Sequence, residues 1–253
     1  LVNCAEHWRD EYPQITVLGI HDTADTSTSC GADPAIIELG DIQIAVLNYT
    51  YGTNGISLPA DMPYAVDLLN EDQVAADIQR AEELADFTIV CPHWGPEYRL
   101  TSDASQEKWA RIFAENGADL VLGTHPHVIE PVDWVIDEKS DHEMLVYYSL
   151  GNFVNWTSGT GEGVANRMVG GMAEVTITKN DNGEVEIEDY GVKPMISHVA
   201  SGPEGVTTYF LSDYTDVLSE ENEIRTQDPE FSREYCINLC NTVWGNLWDE
   251  EKD

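Results

Sequence analysis

Five short, largely apolar runs constrain this chain more than any other feature: ITVLGI (15–20), IQIAVLNY (42–49), FTIVCP (87–92), DLVLG (119–123) and MLVYYSL (144–150). Runs of this length without polar alternation read as strands covered on both faces. Helical patterns lie between them. Asn70 and Gln73 have capping-box spacing ahead of an apolar stripe at Val74, Ile78, Ala81 and Leu84/Ala85. A second helix starts near Asp103 or Ser105, with Trp109, Ile112 and Phe113 inward and Gly117 placed to close it. Strand and helix in alternation predict an α/β sheet with helices on both faces. The stretch 51–63, rich in Gly, Pro and Asn, reads as a loop.

The texture changes later in the chain. MAEVTITKN (172–180) and GEVEIEDYGV (183–192) alternate apolar and polar residues around Asp181-Asn182-Gly183, a hairpin signal. Beyond Gly202 the pattern is one of acidic helices, roughly 211–222 and 229–247. We therefore expect one domain over 1–200 and an acidic helical extension over 201–253 packed on it. At the other end, Leu1, Cys4, Ala5, Trp8 and Tyr12 share a helical face that Pro13 stops. The chain has no initiator Met, and we expect its true beginning to lie upstream.

Charge narrows the partners. With 47 acidic and 12 basic residues the formal net charge is -35, which repels nucleic acid and anionic membrane surfaces. A polyanionic substrate is repelled as well, unless bound cations reverse the local sign. No apolar run has the length of a membrane span. The five cysteines form no CxxC pair. Cys91 sits in an apolar run as a buried thiol, Cys236 and Cys240 are one helical turn apart, and a Cys4–Cys30 bridge is left open.

In open α/β folds ligands gather at the carboxyl ends of the strands, and three of the runs end in polar clusters. FTIVCP leads to His93-Trp94-Gly95-Pro96-Glu97-Tyr98, DLVLG to Thr124-His125-Pro126-His127, and MLVYYSL to Gly151-Asn152. Residues two apart on an extended segment point the same way, and Pro126 biases His125 towards extended backbone. His125 and His127 then face one metal or two neighbouring ones, with His93 as a third ligand. The alternative is a structural cluster of hydrogen-bonded histidines. Glu97 orients a ligand, accepts a proton or caps a loop. Asn152 binds substrate or holds the turn after Gly151, and Trp94 and Tyr98 form cleft walls or plain packing. His21, beside Asp22 and Asp25, is a weaker candidate; His7, His142 and His198 carry less. No nucleophile elbow and no phosphate-binding glycine loop is present.

On these three clusters, with Gly117-Ala118-Asp119 before the second and Tyr148-Ser149-Leu150 and Phe153 around the third, the chain resembles the poly-γ-glutamate capsule-synthesis (CapA-type) family. That family falls within the calcineurin-like metallophosphoesterases, and a looser likeness runs from about 13 to 215, including Asn48-Tyr49-Thr50-Tyr51-Gly52-Thr53-Asn54-Gly55. The resemblance implies an α-β-β-α sheet sandwich flanked by helices, incomplete at its N-terminus. It implies two divalent ions (Mn, Fe or Zn), with His93 and His125 on one and His127 on the other. Glu97 then falls to catalysis, and Tyr98 and Asn152 to substrate binding. An early Asp, a bridging acid and an Asn-His pair have no counterparts here and are expected upstream. The implied role is a metal-dependent phosphoesterase in capsule or envelope-polymer assembly, outside the cytoplasm, with capsule-synthesis membrane proteins or the polymer itself as partners. A phosphoesterase for small substrates and a non-catalytic scaffold are the competing readings.

Overall fold

The computed structural model describes residues 2–249, so Leu1 lies outside the described residues. In chain order the elements are α1 (Val2–Glu11), β1 (Ala35–Leu39), β2 (Ile42–Thr50), α2 (Glu71–Leu84), β3 (Phe87–His93), α3 (Ala104–Glu115), β4 (Leu120–Leu122), β5 (Val132–Asp137), β6 (His142–Tyr147), β7 (Val169–Lys179), β8 (Val185–Ser201), β9 (Gly205–Phe210), α4 (Asp216–Glu221) and α5 (Arg233–Trp244).

Two sheets result. The larger has the order β1-β2-β3-β4-β6-β5, and the smaller is β7-β8-β9. β2, β3, β4 and β6 run parallel, and the edge strands β1 and β5 are antiparallel. Alternation along β2 shows how the layers form. Ala45, Leu47 and Tyr49 face one side with Val90, Val121 and Val146, where α2 and α3 cover them through Val74, Ile78, Ala81, Ala110 and Phe113. Ile42 and Ile44 face the other side with Phe87, Leu120, Leu145 and Tyr147, against Val169, Val192 and Ile196 of the small sheet. The result is a mixed α/β sheet with flanking helices.

Local chemistry sets the helix starts. Asn70 caps α2 by accepting from the Gln73 amide, but the reciprocal half of the box is missing because Gln73 Nε2 donates to Asp77 Oδ1 instead. Asp103 and Gln106 form the complete box at α3. Gly117, at φ 106°, follows α3 as expected.

Four elements depart from the sequence pattern. ITVLGI is not a strand: only Ile20 forms a bridge, to Val66, and Ile15 and Val17 remain exposed because no strand lies beside them among the described residues. β1, β5 and β9 were not foreseen. β1 and β5 are half-covered edge strands, and β5 carries Asp133 and Asp137 within it. β9 draws the segment after Gly202 into the small sheet, so Leu211, Tyr214, Phe231 and Cys236 share one core with β7 and β8. All five cysteines are free, and no bridge joins Cys4 to Cys30.

Candidate functional site

The parallel register brings strand ends to one edge. Thr50 pairs with His93, and His93 with Thr124. Tyr51, His93 and His125 therefore leave adjacent strands side by side. The His93 and His125 ring centroids are 4.7 Å apart, those of His125 and His127 5.9 Å. The three predicted histidines do come together.

The backbone that joins them is not the expected one. His125 has φ 102° and His127 φ 60°, both left-handed, so the segment is a tight loop around Pro126 rather than an extension of β4. Side chains adopt such angles only where surroundings over-determine them. Here the Tyr98 amide donates to Pro126 O at 2.7 Å, and His125 Nδ1 donates to Gly95 O at 2.8 Å. Gly123 lets the loop begin: a Cβ there would collide with the Tyr148 carbonyl and lie 2.6 Å from Trp94 Nε1. Gly95, at φ 77°, likewise leaves no room, since its Cβ would meet Gln106 Nε2 at 2.7 Å.

Hydrogen bonds assign the tautomers. His125 Nδ1 meets a carbonyl, which only accepts, so Nδ1 carries the proton. The Asn152 amide nitrogen donates to His127 O and Arg167 O, which turns its Oδ1 towards His127 Nδ1 at 2.9 Å and makes that nitrogen the donor. Thr124 Oγ1 donates to Pro92 O and so accepts from His93 Nδ1 at 3.2 Å. In the neutral form of each ring the lone pair is then left on Nε2, the arrangement in which a second partner fixes a ligating imidazole. Burial, followed by the neighbouring His125 and His127, lowers the His93 pKa. Among the described residues no group of three His, Cys, Asp or Glu closes to metal-holding range. The donor set fits part of a metal site.

The other predicted residues divide. Glu97 is about half exposed, with Oε1 3.9 Å from His125 Nε2. Tyr98 is exposed and left-handed, its ring 6.0 Å from that of His127. Asn152 uses both amide hydrogens and its oxygen on His127 and Arg167, so it holds the histidine loop and has no N–H left for a ligand. Trp94 is buried packing, stacked on Phe113 and Tyr148, with Nε1 donating to Tyr148 O. His21 forms a buried structural pair with Asp67 at 2.9 Å, beside a cavity of about 560 Å³ away from the histidine cluster. His142 Nε2 donates to Ala118 O, and His198 pairs with the Tyr214 hydroxyl.

Three residues escaped the sequence reading. Tyr51 lies 4.8 Å from the His125 ring and parallel to His93; as the residue after β2, the strand-end rule reaches it. Thr124 orients His93. Arg167 lies 3.6 Å above the Tyr98 ring, and nothing in its local sequence marks it.

An α/β sandwich that collects imidazoles, a carboxylate and an orienting amide at the carboxyl edge of its parallel strands is the class that the fold and site define. Within that class the chain belongs to the bacterial capsule synthesis protein PGA_cap family, whose model matches residues 4–157. It is 35% identical over 103 residues to the PGA biosynthesis protein CapA of Bacillus subtilis (strain 168), a match covering 40% of this chain and 23% of that protein. It is 31% identical over 124 residues to the capsule biosynthesis protein CapA of Bacillus anthracis, covering 46% and 28%. The matched part is thus about a quarter of each relative's length. Among solved structures, a putative 5'-nucleotidase from Staphylococcus aureus aligns over 64% of this chain and 29% of that chain, with 13% identity and a TM-score of 0.40.

Proposed function

We propose that this chain contributes a metal-dependent, phosphoesterase-like site to a protein of poly-γ-glutamate capsule synthesis at the cell envelope. One observation carries the metal reading: three imidazoles from two neighbouring strand ends each have Nδ1 engaged and no hydrogen bond at Nε2, where His125 has only the Glu97 carboxylate at 3.9 Å. His93 and His125 hold one ion in this reading and His127 a second. Imidazole donors suit Zn or Fe, and oxygen donors beside them suit Mn. Bound divalent ions supply Lewis-acid polarisation of a phosphoryl group. Around them Glu97 exchanges a proton beside His125, Tyr98 lines the approach, and Asn152 keeps His127 in its ligating tautomer. The names of the two curated relatives support the capsule role. Capsule-synthesis membrane proteins and the polymer are the proposed partners, outside the cytoplasm. A net charge of -35 means that a polyglutamate chain needs cations to approach.

Elemental analysis of wild-type protein and His125→Ala, each loaded with Mn, Fe or Zn and desalted, tests the reading. Retained metal in the wild type and its loss in the variant, with unchanged circular dichroism, is the expected result. Equal metal in both would remove His125 from the ligand set. The absence of a closed three-donor group among the described residues favours a second reading, a non-catalytic scaffold; a wild type that binds no metal would select it.

A further inference from the structure

We infer that Arg167 is the specificity-determining residue for an oxyanion on the substrate, a proposal that rests on the site reading above. Arg9, Arg80, Lys108, Lys139, Lys179 and Lys193 each reach a carboxylate. Arg167, like Arg99, Arg111 and Arg225, reaches none among the described residues. Instead its guanidinium carbon lies 3.6 Å above the Tyr98 ring, and Nη1 donates to Thr157 Oγ1 at 2.9 Å. Nε is buried and has no hydrogen-bond partner.

Those contacts fix the guanidinium plane while leaving its Nε/Nη2 edge unused. That edge pairs with a carboxylate or phosphate through two parallel N–H bonds. An N–H buried without an acceptor is destabilising, and an incoming anion relieves that cost. Stacking on Tyr98 holds the charge by cation–π attraction, which needs no neutralising carboxylate. A carboxylate partner would occupy the fork, whereas an aromatic face leaves it open.

The position ties the fork to the histidines. Tyr98 is one ring away from His127, and its amide clasps Pro126 O. Asn152 Nδ2 donates to the backbone carbonyls of both His127 and Arg167, so one side chain ties the main chain that carries the cation to the imidazole loop. The ligand class is an oxyanion, either the phosphoryl group of a phosphoester or the α-carboxylate of a γ-linked glutamyl chain. Arg167 thereby gives this site a fixed positive point at which an anionic substrate can register.

The test is isothermal titration of inorganic phosphate, and separately of a γ-linked glutamyl dipeptide, into the wild-type chain, Arg167→Gln and Arg167→Lys at fixed ionic strength. Melting curves and metal content accompany each protein. Arg167→Lys keeps the charge and stem but lacks the fork, so it remains informative if Arg167→Gln fails to fold. Saturable binding to wild type that falls roughly ten- to hundredfold in both variants is expected. A ¹⁵N-arginine Nε–H resonance absent from the variants should move with the same saturation curve. Loss for phosphate alone identifies the phosphoryl source, and loss for the dipeptide alone the carboxylate source. Equal binding by wild type and variants, or no binding of either probe to wild type, overturns the proposal. Metal content reports on the ligand set separately: Arg167-dependent binding in a protein that takes up no metal would leave this inference standing and remove the metal reading.

Discussion

At the scale of single residues, the site depends on backbone angles that its side chains do not prefer. His125 at φ 102° reverses the usual order of small substitutions. Glycine normally costs about 0.5–1 kcal/mol relative to alanine, but at positive φ alanine carries the strain. His125→Gly should therefore melt above His125→Ala, by roughly 2–4 °C; the opposite order would mean that the loop relaxes once the ring is gone. Glu130 offers a pH test. Burial, eased by the Gln106 hydrogen bond, pushes its pKa up to about 7. A raised carboxyl pKa makes the folded state bind more protons than the unfolded one, so stability falls as pH rises from about 4 through 7. Denaturation midpoints of Glu130→Gln should show less decline over that window than wild type, and parallel pH profiles would contradict this origin. The three histidines were legible in the sequence because strand ends attract polar residues. Their left-handed geometry was not, since it comes from clasps to Gly95 and Tyr98 some thirty residues earlier.

At the scale of elements, α3 links a local cap to the site. Asp103 accepts from the Ser105 and Gln106 amides, while the Gln106 side chain accepts from the Asp103 amide and donates to Glu130 at 2.6 Å. Asp103→Ala should cost about 1–2 kcal/mol in a urea melt. A cost under ~0.3 kcal/mol would mean that tertiary packing alone holds the helix start. Both helix caps and the central strands could be read from the sequence, because each is encoded within a few adjacent residues. The strand ITVLGI was misread for the complementary reason: apolar content announces burial, but a strand also needs a neighbour to hydrogen-bond. β5 escaped because Asp133 and Asp137 interrupt its pattern, although Asp137 turns inward to Ser140 and the Lys139 amide.

At the scale of the molecule, a surplus of 35 negative charges works against compaction. Screening shortens from about 10 Å at 0.1 M salt to about 3 Å at 1 M. The melting temperature should therefore rise by several degrees between ~0.1 and ~1 M KCl, and a flat or falling curve would show that self-repulsion is not limiting. The tail belongs to this whole rather than to a separate unit. Trp244 of α5 donates to Glu130 O, three residues beyond His127, so the acidic C-terminal segment braces the loop that carries the imidazoles.

The five unbridged thiols have a practical consequence. Cys4 and Cys30 are exposed, Cys91 is half-buried with its pKa raised to about 11, and Cys236 and Cys240 are sealed in the core. A thiol-reactive dye then meets two fast sites in the native molecule, a slower one at Cys91, and the sealed pair only on opening, so the protein contains its own gauge of how tightly it is closed at any given salt concentration.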